Sequence, residues 1–397
     1  MFMKFDFDYL TDRRETDSLK WDTAMVKYPM WVADMDFQVA PSIQEVVHDR
    51  CDYNIYGYTL LPNRFYTSIQ KWWLQRHGIG FEKNSMQYVT GVLPALNVMI
   101  QRFTAPGENV LVMEPVYHMF YHLIERNGRY VQTNPLLYIN GAYSIDFNDL
   151  EQKLSNPKTT MMILCNPHNP TGNLWDKADI EQIGNLSDKY HVLVVSDEIH
   201  ADIVQPGFTY MPFMKVNDTC WNNSITLVSA TKAFNIPGLS SACAIIPNGD
   251  LCAKAKTAFA QAMITDPDYL NAHASIAAFE DGQEWLDAMN AYVAENKKIA
   301  TEFIKESIPE IHVVSSLATY LLWIDFSEFT DNVDGVCDLL RSKEGIFLSK
   351  GSEFGPSGKN FVRMNVACPR QVLLEALLAL RGGLHTRTMR RYLEESR

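Results

Sequence analysis

Short apolar runs alternate with helix-compatible stretches between about Val89 and Ile246. The runs read NVLVME, TTMMILC, HVLVVSDE, SITLVSAT and SACAIIP, and DKADIEQIGNLSDKY is typical of the stretches between them. Strands that alternate with helices are characteristic of βαβ units, in which helices cover both faces of a mostly parallel sheet. The pattern therefore predicts an α/β fold for this part of the chain.

Helical patterns flank this region on both sides. PSIQEVVHDRC begins with a proline, which suits a first helical turn, and FYTSIQKWWLQRHG ends on a glycine stop. A long helical tract is expected from about Leu251 to Lys305, and the last hundred residues mix strands and helices in an α+β pattern. We predict an N-terminal segment at 1–45, a large domain at 46–285 and a small domain at 286–397, with the boundary inside a helix.

Composition narrows the class of protein. The chain has 397 residues and a net charge of −12 without a basic block, which argues against nucleic acid or an anionic membrane as a partner. Its seven cysteines are dispersed, as reduced thiols are. The N-terminus lacks the apolar core of a signal peptide, and runs such as ATYLLWI are too short to cross a bilayer. These features predict a cytoplasmic protein.

Polar residues follow three of the apolar runs. TTMMILC leads into NPHNPTG, HVLVVS into DEIHAD, and SITLVS into ATKAFNIPGL. Ligands of open parallel sheets bind at the carboxyl ends of the strands. If the three strands are neighbours, Asn169, Asp197 and Lys232 meet in one crevice.

Lys232 admits two interpretations: an ordinary solvated side chain on a turn, or a desolvated amine held for covalent chemistry. A buried lysine can lose its proton near neutral pH and act as a nucleophile. Pyridoxal phosphate needs such a lysine, an acid that keeps its ring nitrogen protonated, and an amide that orients it. The combination of Lys232, Asp197 and Asn169 favours the second interpretation.

A phosphate and a planar ring also find candidate partners. YVTGVLPAL gives a strand, a turn at Gly91 and a helix start, where the backbone N–H groups of Val92 and Leu93 could receive a phosphate. Ser229 could add a hydroxyl, and Tyr117 follows a strand where its ring could stack on the cofactor.

Each of these features alone has an ordinary structural explanation. TGVLPAL is compatible with a common helix start, NPHNPTG with two proline turns, and Tyr117 with core packing. His168 and His200 have no second ligand at metal spacing, so no metal site is predicted. It is the order of the residue types along the chain that favours a cofactor site.

Together the motifs TGVLPAL, EPVY, NPHNPTG, SDEIH, SATKAFNIPGL and FVRMNVACPR resemble the fold-type I pyridoxal-phosphate enzymes, the aspartate aminotransferase superfamily. MWVADMDF, YGYT and RMNVACPR are most similar to the MalY/PatB group of C–S lyases. The resemblance implies a large domain with a mostly parallel seven-stranded sheet between helices. It also implies a smaller α+β C-terminal domain that the N-terminal segment joins.

The resemblance further implies a role for each matching position. Lys232 would carry the cofactor and later act as the base, Asp197 would pair with the pyridine nitrogen, and Asn169 would reach the phenolic oxygen. The remaining cofactor contacts would be Gly91, Val92, Leu93, Tyr117, His200, Ser229 and Tyr58. Tyr117 and Tyr58 are also implied as catalytic, with Tyr58 reaching the neighbouring subunit's site in a homodimer with shared active sites.

The substrate contacts implied by the resemblance are Arg363, Ala33 and Asn169, with Arg363 holding the α-carboxylate at two points. Two positions depart from the general aminotransferase pattern. Ser240 stands where an arginine usually clamps the phosphate, and His200 stands where tyrosine is common. Both departures suit the lyase group, and they leave the full set of phosphate contacts open.

The predicted activity is α,β-elimination on L-cystathionine or L-cysteine-type amino acids, which gives a thiol, pyruvate and ammonia. Two alternatives remain. An aminotransferase would remove the same α-proton but require a keto acid, and a catalytically idle protein of this fold would act by binding a partner.

Overall fold

The computed structural model describes residues 5–23 and 26–395. Residues 1–4 and 396–397, the predicted ends of the N-terminal segment and of the small domain, lie outside it, as do 24–25. Part of the argument against a signal peptide therefore concerns residues that are not described. The strands in the described residues are β1 Tyr28–Pro29, β2 Met86–Val89, β3 Asn109–Glu114, β4 Tyr130–Pro135, β5 Leu137–Ile139, β6 Ala142–Ser144, β7 Thr159–Cys165, β8 Leu193–Asp197, β9 Ser224–Val228, β10 Ala242–Ile245, β11 His312–Val313, β12 Leu321–Asp325, β13 Ile346–Phe347, β14 Ser349–Lys350 and β15 Phe361–Asn365.

Helices occupy most of the remaining chain. The α-helices in the described residues are α1 Leu19–Asp22, α2 Pro41–Asp52, α3 Asn63–Trp72, α4 Val92–Phe103, α5 His118–Arg126, α6 Phe147–Leu154, α7 Lys177–Lys189, α8 Asp218–Asn222, α9 Gly249–Gln261, α10 Asn271–Asp281, α11 Gln283–Ser307, α12 Val333–Leu339, α13 Arg370–Leu384 and α14 Arg387–Glu395. No helix in the described ranges is long and apolar enough to cross a membrane.

The large sheet has the predicted architecture. Seven strands follow the order β2-β10-β9-β8-β7-β3-β4, and every neighbouring pair is parallel except the two that involve β10. Alternate residues of each strand face opposite sides. Val110 and Val112 of β3 therefore join the cluster packed by α4 and α9, whereas Leu111 and Met113 join the cluster packed by α6 and α7. The α/β fold and the mostly parallel seven-stranded sheet are confirmed.

The single helical tract expected from Leu251 to Lys305 is wrong, because it consists of three helices. The segment between α9 and α10 contains Pro267, which lacks the N–H that a continuing helix requires. Gly282 separates α10 from α11, and a Cβ at that position would lie 2.4 Å from the carbonyl oxygen of Ala278. The predicted boundary near residue 285 falls in the first turn of α11.

A second sheet, in the order β11-β12-β15-β14, lies in the C-terminal part of the chain. The N-terminal segment packs against this part, because β1 pairs in parallel with β13 and the amide N–H of Asn365 donates to the carbonyl oxygen of Met30 (2.8 Å). The side-chain amide of Asn365 donates to the carbonyl oxygens of Val32 and Asp34. The segment MWVADMDF is thus fixed between the small sheet and the ends of the large one.

A buried ionic cluster fixes the chain that precedes this segment. The Lys20 ammonium, 1% exposed, donates to Asp36 Oδ2 at 2.8 Å, and the Trp21 indole N–H donates to Asp36 Oδ1 at 2.9 Å. Arg13 bridges Asp34 and Asp36 at 2.9 and 2.8 Å. Burial alone would raise the pKa of Asp36, but Lys20, Trp21 and Arg13 hold it below its usual value.

We expect Lys20→Met to lower the free energy of unfolding by about 3 kcal/mol, because it removes one of the two cations that pair with the buried Asp36 carboxylate. The matched control is Lys189→Met, which removes an exposed ion pair to Glu151 (2.7 Å) and should cost much less, because solvent screens that pair. Urea unfolding midpoints of the two variants measure the difference. Equal shifts in the two variants would contradict the account of the cluster.

The loss of stability caused by Lys20→Met should also depend on pH. In the native protein the depressed pKa of Asp36 contributes stability above its unfolded pKa, about 3.9, which is lost only as the pH falls through the lower folded value. Without Lys20 we expect burial to raise that pKa, so Lys20→Met should lose stability as the pH rises above about 4. Between pH 4 and 7, the difference in free energy of unfolding between variant and wild type should widen. A difference that stays constant over this range would contradict the expected rise in the pKa of Asp36.

Candidate active site

The three polar strand ends lie side by side. β7, β8 and β9 are consecutive parallel neighbours in the large sheet, so the segments after them open at the same edge. There they border a cavity of about 710 Å³. Its lining includes the predicted residues Ala33, Gly91, Val92, Leu93, Tyr117, Asn169, Asp197, His200, Ser229, Lys232 and Arg363.

Lys232 is half-buried in this lining, four residues after the end of β9. Its amine donates to the carbonyl oxygen of Ala33 at 2.6 Å. Burial lowers the pKa of Lys232 to about 8, with the charge of Arg363 acting in the same direction and Asp34 and Asp197 opposing it. At neutral pH a usable fraction of the amine is therefore unprotonated, as a nucleophile or base requires.

Asp197 is the last residue of β8 and is buried. Its Oδ1 accepts from the amide N–H of Ile199 at 3.2 Å, and no ion pair to it occurs among the described residues. Burial raises the pKa of Asp197 to about 6, and the Ile199 bond and Lys232 only partly offset this. A cation placed against this carboxylate would therefore be bound strongly and would keep it ionised.

The first turn of α4 forms another wall. Gly91 precedes the helix, and no side chain caps the N–H groups of the first turn, where Val92 and Leu93 lie. Ser240 lines the cavity beside this turn and donates to the carbonyl oxygen of Thr90 at 2.9 Å. A Cβ at position 91 would lie 2.9 Å from Ser240 Oγ. The turn thus offers free N–H donors at the positive end of a helix, which suits an anion.

Ser229 lines the cavity, but its hydroxyl proton is already engaged. Ser229 Oγ donates to the carbonyl oxygen of Ser241 at 2.7 Å and lies 2.8 Å from Thr231 Oγ1. Because Ser229 donates its hydroxyl proton to the Ser241 carbonyl, it accepts a hydrogen bond from the Thr231 hydroxyl. Its predicted phosphate contact stays a prediction, and it would require this pair to reorient.

Aromatic rings and imidazoles line the remaining wall. Tyr117 immediately precedes α5, and burial raises the pKa of its hydroxyl. His118 and His200 are also in the lining, and the Nδ1 atom of each is buried with no hydrogen-bond partner among the described residues. Burial lowers the pKa of His118 to about 4 and that of His200 to about 3, so both rings are neutral at pH 7.

Asn169 is held by the NPHNPTG loop, whose two Asn–Pro bonds are both cis. Gly172 closes the loop with φ +72°, and its carbonyl oxygen accepts from the N–H groups of Leu317 and Ala318. A Cβ at Gly172 would lie 2.8 Å from the carbonyl oxygen of Ala318. Only glycine allows this close approach, which places Asn169 near the C-terminal part of the chain.

Arg363 reaches the cavity from the middle of β15 and is buried. Its Nη1 donates to Asn169 Oδ1 at 3.2 Å, and its Nη2 donates to the carbonyl oxygen of Trp31 at 2.8 Å and to Ser349 Oγ at 3.2 Å. The guanidinium lies 4.8 Å from the centre of the Phe354 ring. Burial lowers the pKa of Arg363 to about 10, and its buried Nε finds no partner in the described part of the chain. A carboxylate arriving here would meet a positioned but incompletely satisfied cation.

The structure separates Tyr58 from the other predicted residues. Tyr58 is fully exposed and does not line the cavity, so its predicted contact with a neighbouring subunit stays a prediction. Sequence reasoning missed other lining residues: Trp31, His118, Thr231, Ser349 and Glu353. Trp31, His118 and Thr231 lie in or next to quoted motifs and could have been found there, whereas no motif marks Ser349 or Glu353.

Pyridoxal phosphate fits this set of residues. The uncapped turn of α4 suits its phosphate, the unpaired buried carboxylate of Asp197 suits a pyridinium nitrogen, and the low pKa of Lys232 suits attachment to its aldehyde. The orphaned Nδ1 of His200 is a further buried polar atom in this wall that a bound ring could satisfy.

Comparison with known proteins gives the same picture over nearly the whole chain. The model of the family Aminotransferase class I and II matches residues 33–380. Cystathionine beta-lyase PatB of Bacillus subtilis (strain 168) is 36% identical over 96% of this chain and 100% of its own length. Protein MalY of Escherichia coli (strain K12) is 30% identical over 95% of this chain and 98% of its own length.

A solved structure agrees with these relatives. The PLP-bound C-S lyase from Staphylococcus hominis superposes with a TM-score of 0.91 at 28% identity, covering 97% of this chain and 99% of that one. The resemblance to the MalY/PatB group is thereby confirmed. The chain belongs to the aminotransferase class I and II family.

Proposed function

We propose that this protein is a pyridoxal-phosphate-dependent carbon–sulfur β-lyase. The observation that carries the proposal is the desolvated amine of Lys232 in one cavity with the unpaired carboxylate of Asp197 and the buried guanidinium of Arg363. The names of PatB and of the Staphylococcus hominis enzyme favour elimination over transamination. L-Cystathionine is the proposed substrate, with other L-cysteine thioethers or disulfides as further candidates.

Different residues of the chain would carry out different steps of the elimination. Bound pyridoxal phosphate would supply the electron sink that acidifies the α-carbon of the amino acid. Arg363 would bind the α-carboxylate, exchanging contacts to Asn169 and Ser349 for a two-point contact. Lys232 Nζ would take the proton from Cα and return it to the sulfur, which leaves as a thiol. Addition of water to the remaining three-carbon product gives pyruvate and ammonia.

Neutral groups close the site around this reaction. His118 and His200 are uncharged at pH 7, so they do not compete with Lys232 for a proton or with Arg363 for the carboxylate. The Ala33 carbonyl accepts from Lys232 and from the Tyr320 hydroxyl (2.9 Å), which fixes the amine at one side of the cavity. Ala33, predicted as a substrate contact, would act in this account through its carbonyl oxygen.

We expect the protein supplied with pyridoxal phosphate to convert L-cystathionine into equal amounts of homocysteine, pyruvate and ammonia without any keto acid. Lys232→Ala should lower kcat by about 10³-fold or more, because positioned acid–base groups contribute up to about 10⁴-fold. The exposed Lys254→Ala serves as the control and should keep full activity. Pyruvate, thiol and ammonia assays measure the outcome.

Two results would reject elimination. Strict dependence on a keto acid with no thiol released would assign the protein to the aminotransferases instead. Undiminished turnover by Lys232→Ala would remove the assigned base from the reaction altogether.

We further propose that the protein is a homodimer with shared active sites. The segment 53–60 exposes a run of large apolar side chains, a surface that monomers rarely leave open. These side chains are Tyr53, Ile55, Tyr56, Tyr58 and Leu60. A second copy covering the segment would bring Tyr58 to the neighbouring cavity. A cytoplasmic location is also a proposal, supported by seven free thiols.

Sedimentation equilibrium should give twice the chain mass of 45.3 kDa at micromolar concentration. Leu60→Asp should shift the protein to monomers and weaken retention of pyridoxal phosphate, since a charge would be buried in the interface. Leu378→Asp, at an exposed leucine of α13, is the control and should remain dimeric. A monomeric wild type, or a dimeric Leu60→Asp, would contradict the proposed interface.

A further inference from the structure

Glu353 places a carboxylate in the wall of the cavity that none of the assigned roles uses. It lies in the short 3₁₀ turn Gly351–Phe354, between β14 and β15. The next residue, Phe354, lies beneath the Arg363 guanidinium, so Glu353 sits on the side of the cavity where the α-carboxylate would bind. Its side chain is exposed, and it forms no hydrogen bond or ion pair with the described residues.

The other carboxylates of the lining are already committed. Asp34 is paired with Arg13 at 2.9 Å and lies 3.5 Å from the Lys20 ammonium. Asp197 is buried at the end of β8, where the proposed role of its charge is to hold the cofactor. Glu353 is therefore the lining carboxylate, among the described residues, that is free to meet a ligand.

The electrostatic surroundings of Glu353 indicate which charge such a ligand should carry. Although the Glu353 side chain is exposed, the cavity wall removes part of its hydration and so raises its pKa, and Arg363 and Lys350 only partly oppose this effect. Glu353 in turn raises the pKa of Arg363, so the two charges lie within Coulombic reach. Lys350 is engaged by Asp338 at 2.8 Å and does not neutralise Glu353 directly. A carboxylate partly removed from water gains most from a cation.

We propose that Glu353 determines substrate specificity by favouring amino acids whose sulfur substituent ends in an ammonium group. The inference rests on the proposed lyase function and names the substrate class of that site. Arg363 would hold the α-carboxylate, and the substituent on the sulfur would extend toward Glu353. L-Cystathionine has an ammonium on its distal half and belongs to this class.

Two substrates of matched shape isolate the effect of the ammonium charge on kcat/KM. S-(2-aminoethyl)-L-cysteine and S-propyl-L-cysteine differ by an ammonium in place of a methyl group. We expect the wild type to have about tenfold higher kcat/KM for the ammonium substrate. Glu353→Gln should bring the two values within about twofold of each other by lowering only the value for the ammonium substrate.

A binding measurement tests the same contact without turnover. L-Lysine and L-2-aminoheptanoate have side chains of the same length, with an ammonium in one and a methyl in the other, and no sulfur to eliminate. Calorimetric titration of the protein saturated with pyridoxal phosphate should show about tenfold tighter binding of L-lysine. Glu353→Gln should abolish that difference, while the exposed carboxylate variant Glu310→Gln, outside the cavity, should keep it.

The outcomes distinguish this inference from the proposed function. If no sulfur substrate releases thiol and pyruvate from the wild type, the lyase function fails, and the comparison of L-lysine with L-2-aminoheptanoate still decides the role of Glu353. An equal loss for both members of a pair in Glu353→Gln would mean that Glu353 acts only through the charge of Arg363, which overturns the inference. No change in either pair would overturn it as well.

Discussion

The removal of the Lys232 amine from water is the physical constraint on which the rest of the site depends. A lysine on the surface is almost entirely protonated at neutral pH and can neither attack a carbonyl nor accept a proton. Burial lowers the pKa of Lys232 to about 8. The Ala33 carbonyl gives the amine a fixed partner, while the carboxylates of Asp34 and Asp197 keep the shift moderate. The environment therefore yields a base that is both desolvated and available.

This environment is assembled from three distant parts of the chain. The large sheet supplies Lys232 and Asp197 at adjacent strand ends, and β15 supplies Arg363. MWVADMDF lies between them, accepting from Lys232 at Ala33 and from Arg363 at Trp31. The buried cluster of Lys20, Arg13 and Asp36 ties the preceding chain to that segment, because Asp36 lies within it. The role of the cluster is thus to hold the segment in place, and not to contact a substrate.

The sequence predicted the features that depend on local order. Apolar runs that alternate with helical stretches predicted the sheet. The polar residues that follow three of these runs predicted that Asn169, Asp197 and Lys232 lie together, because parallel strands bring their carboxyl ends to one edge. The family resemblance supplied Arg363, which lies far along the chain on another sheet. The features that depend on tertiary contacts were missed. Ser349 reaches the cavity from the two-residue strand β14, and Glu353 reaches it from a short 3₁₀ turn. The Trp31 contact uses a backbone carbonyl that no side-chain pattern reveals, and the break at Gly282 follows from local packing.

Lys232 is proposed as the amine that holds the cofactor. The most direct measurement is borohydride reduction of the protein saturated with pyridoxal phosphate, followed by peptide mapping by mass spectrometry. The cofactor mass should be found on the peptide containing Lys232. Lys297 offers a stringent comparison, because burial lowers its pKa to about 7 as well. Its amine donates to Ser316 and Ala318 and does not line the cavity. Modification at Lys297, or no covalent attachment at Lys232, would contradict the account.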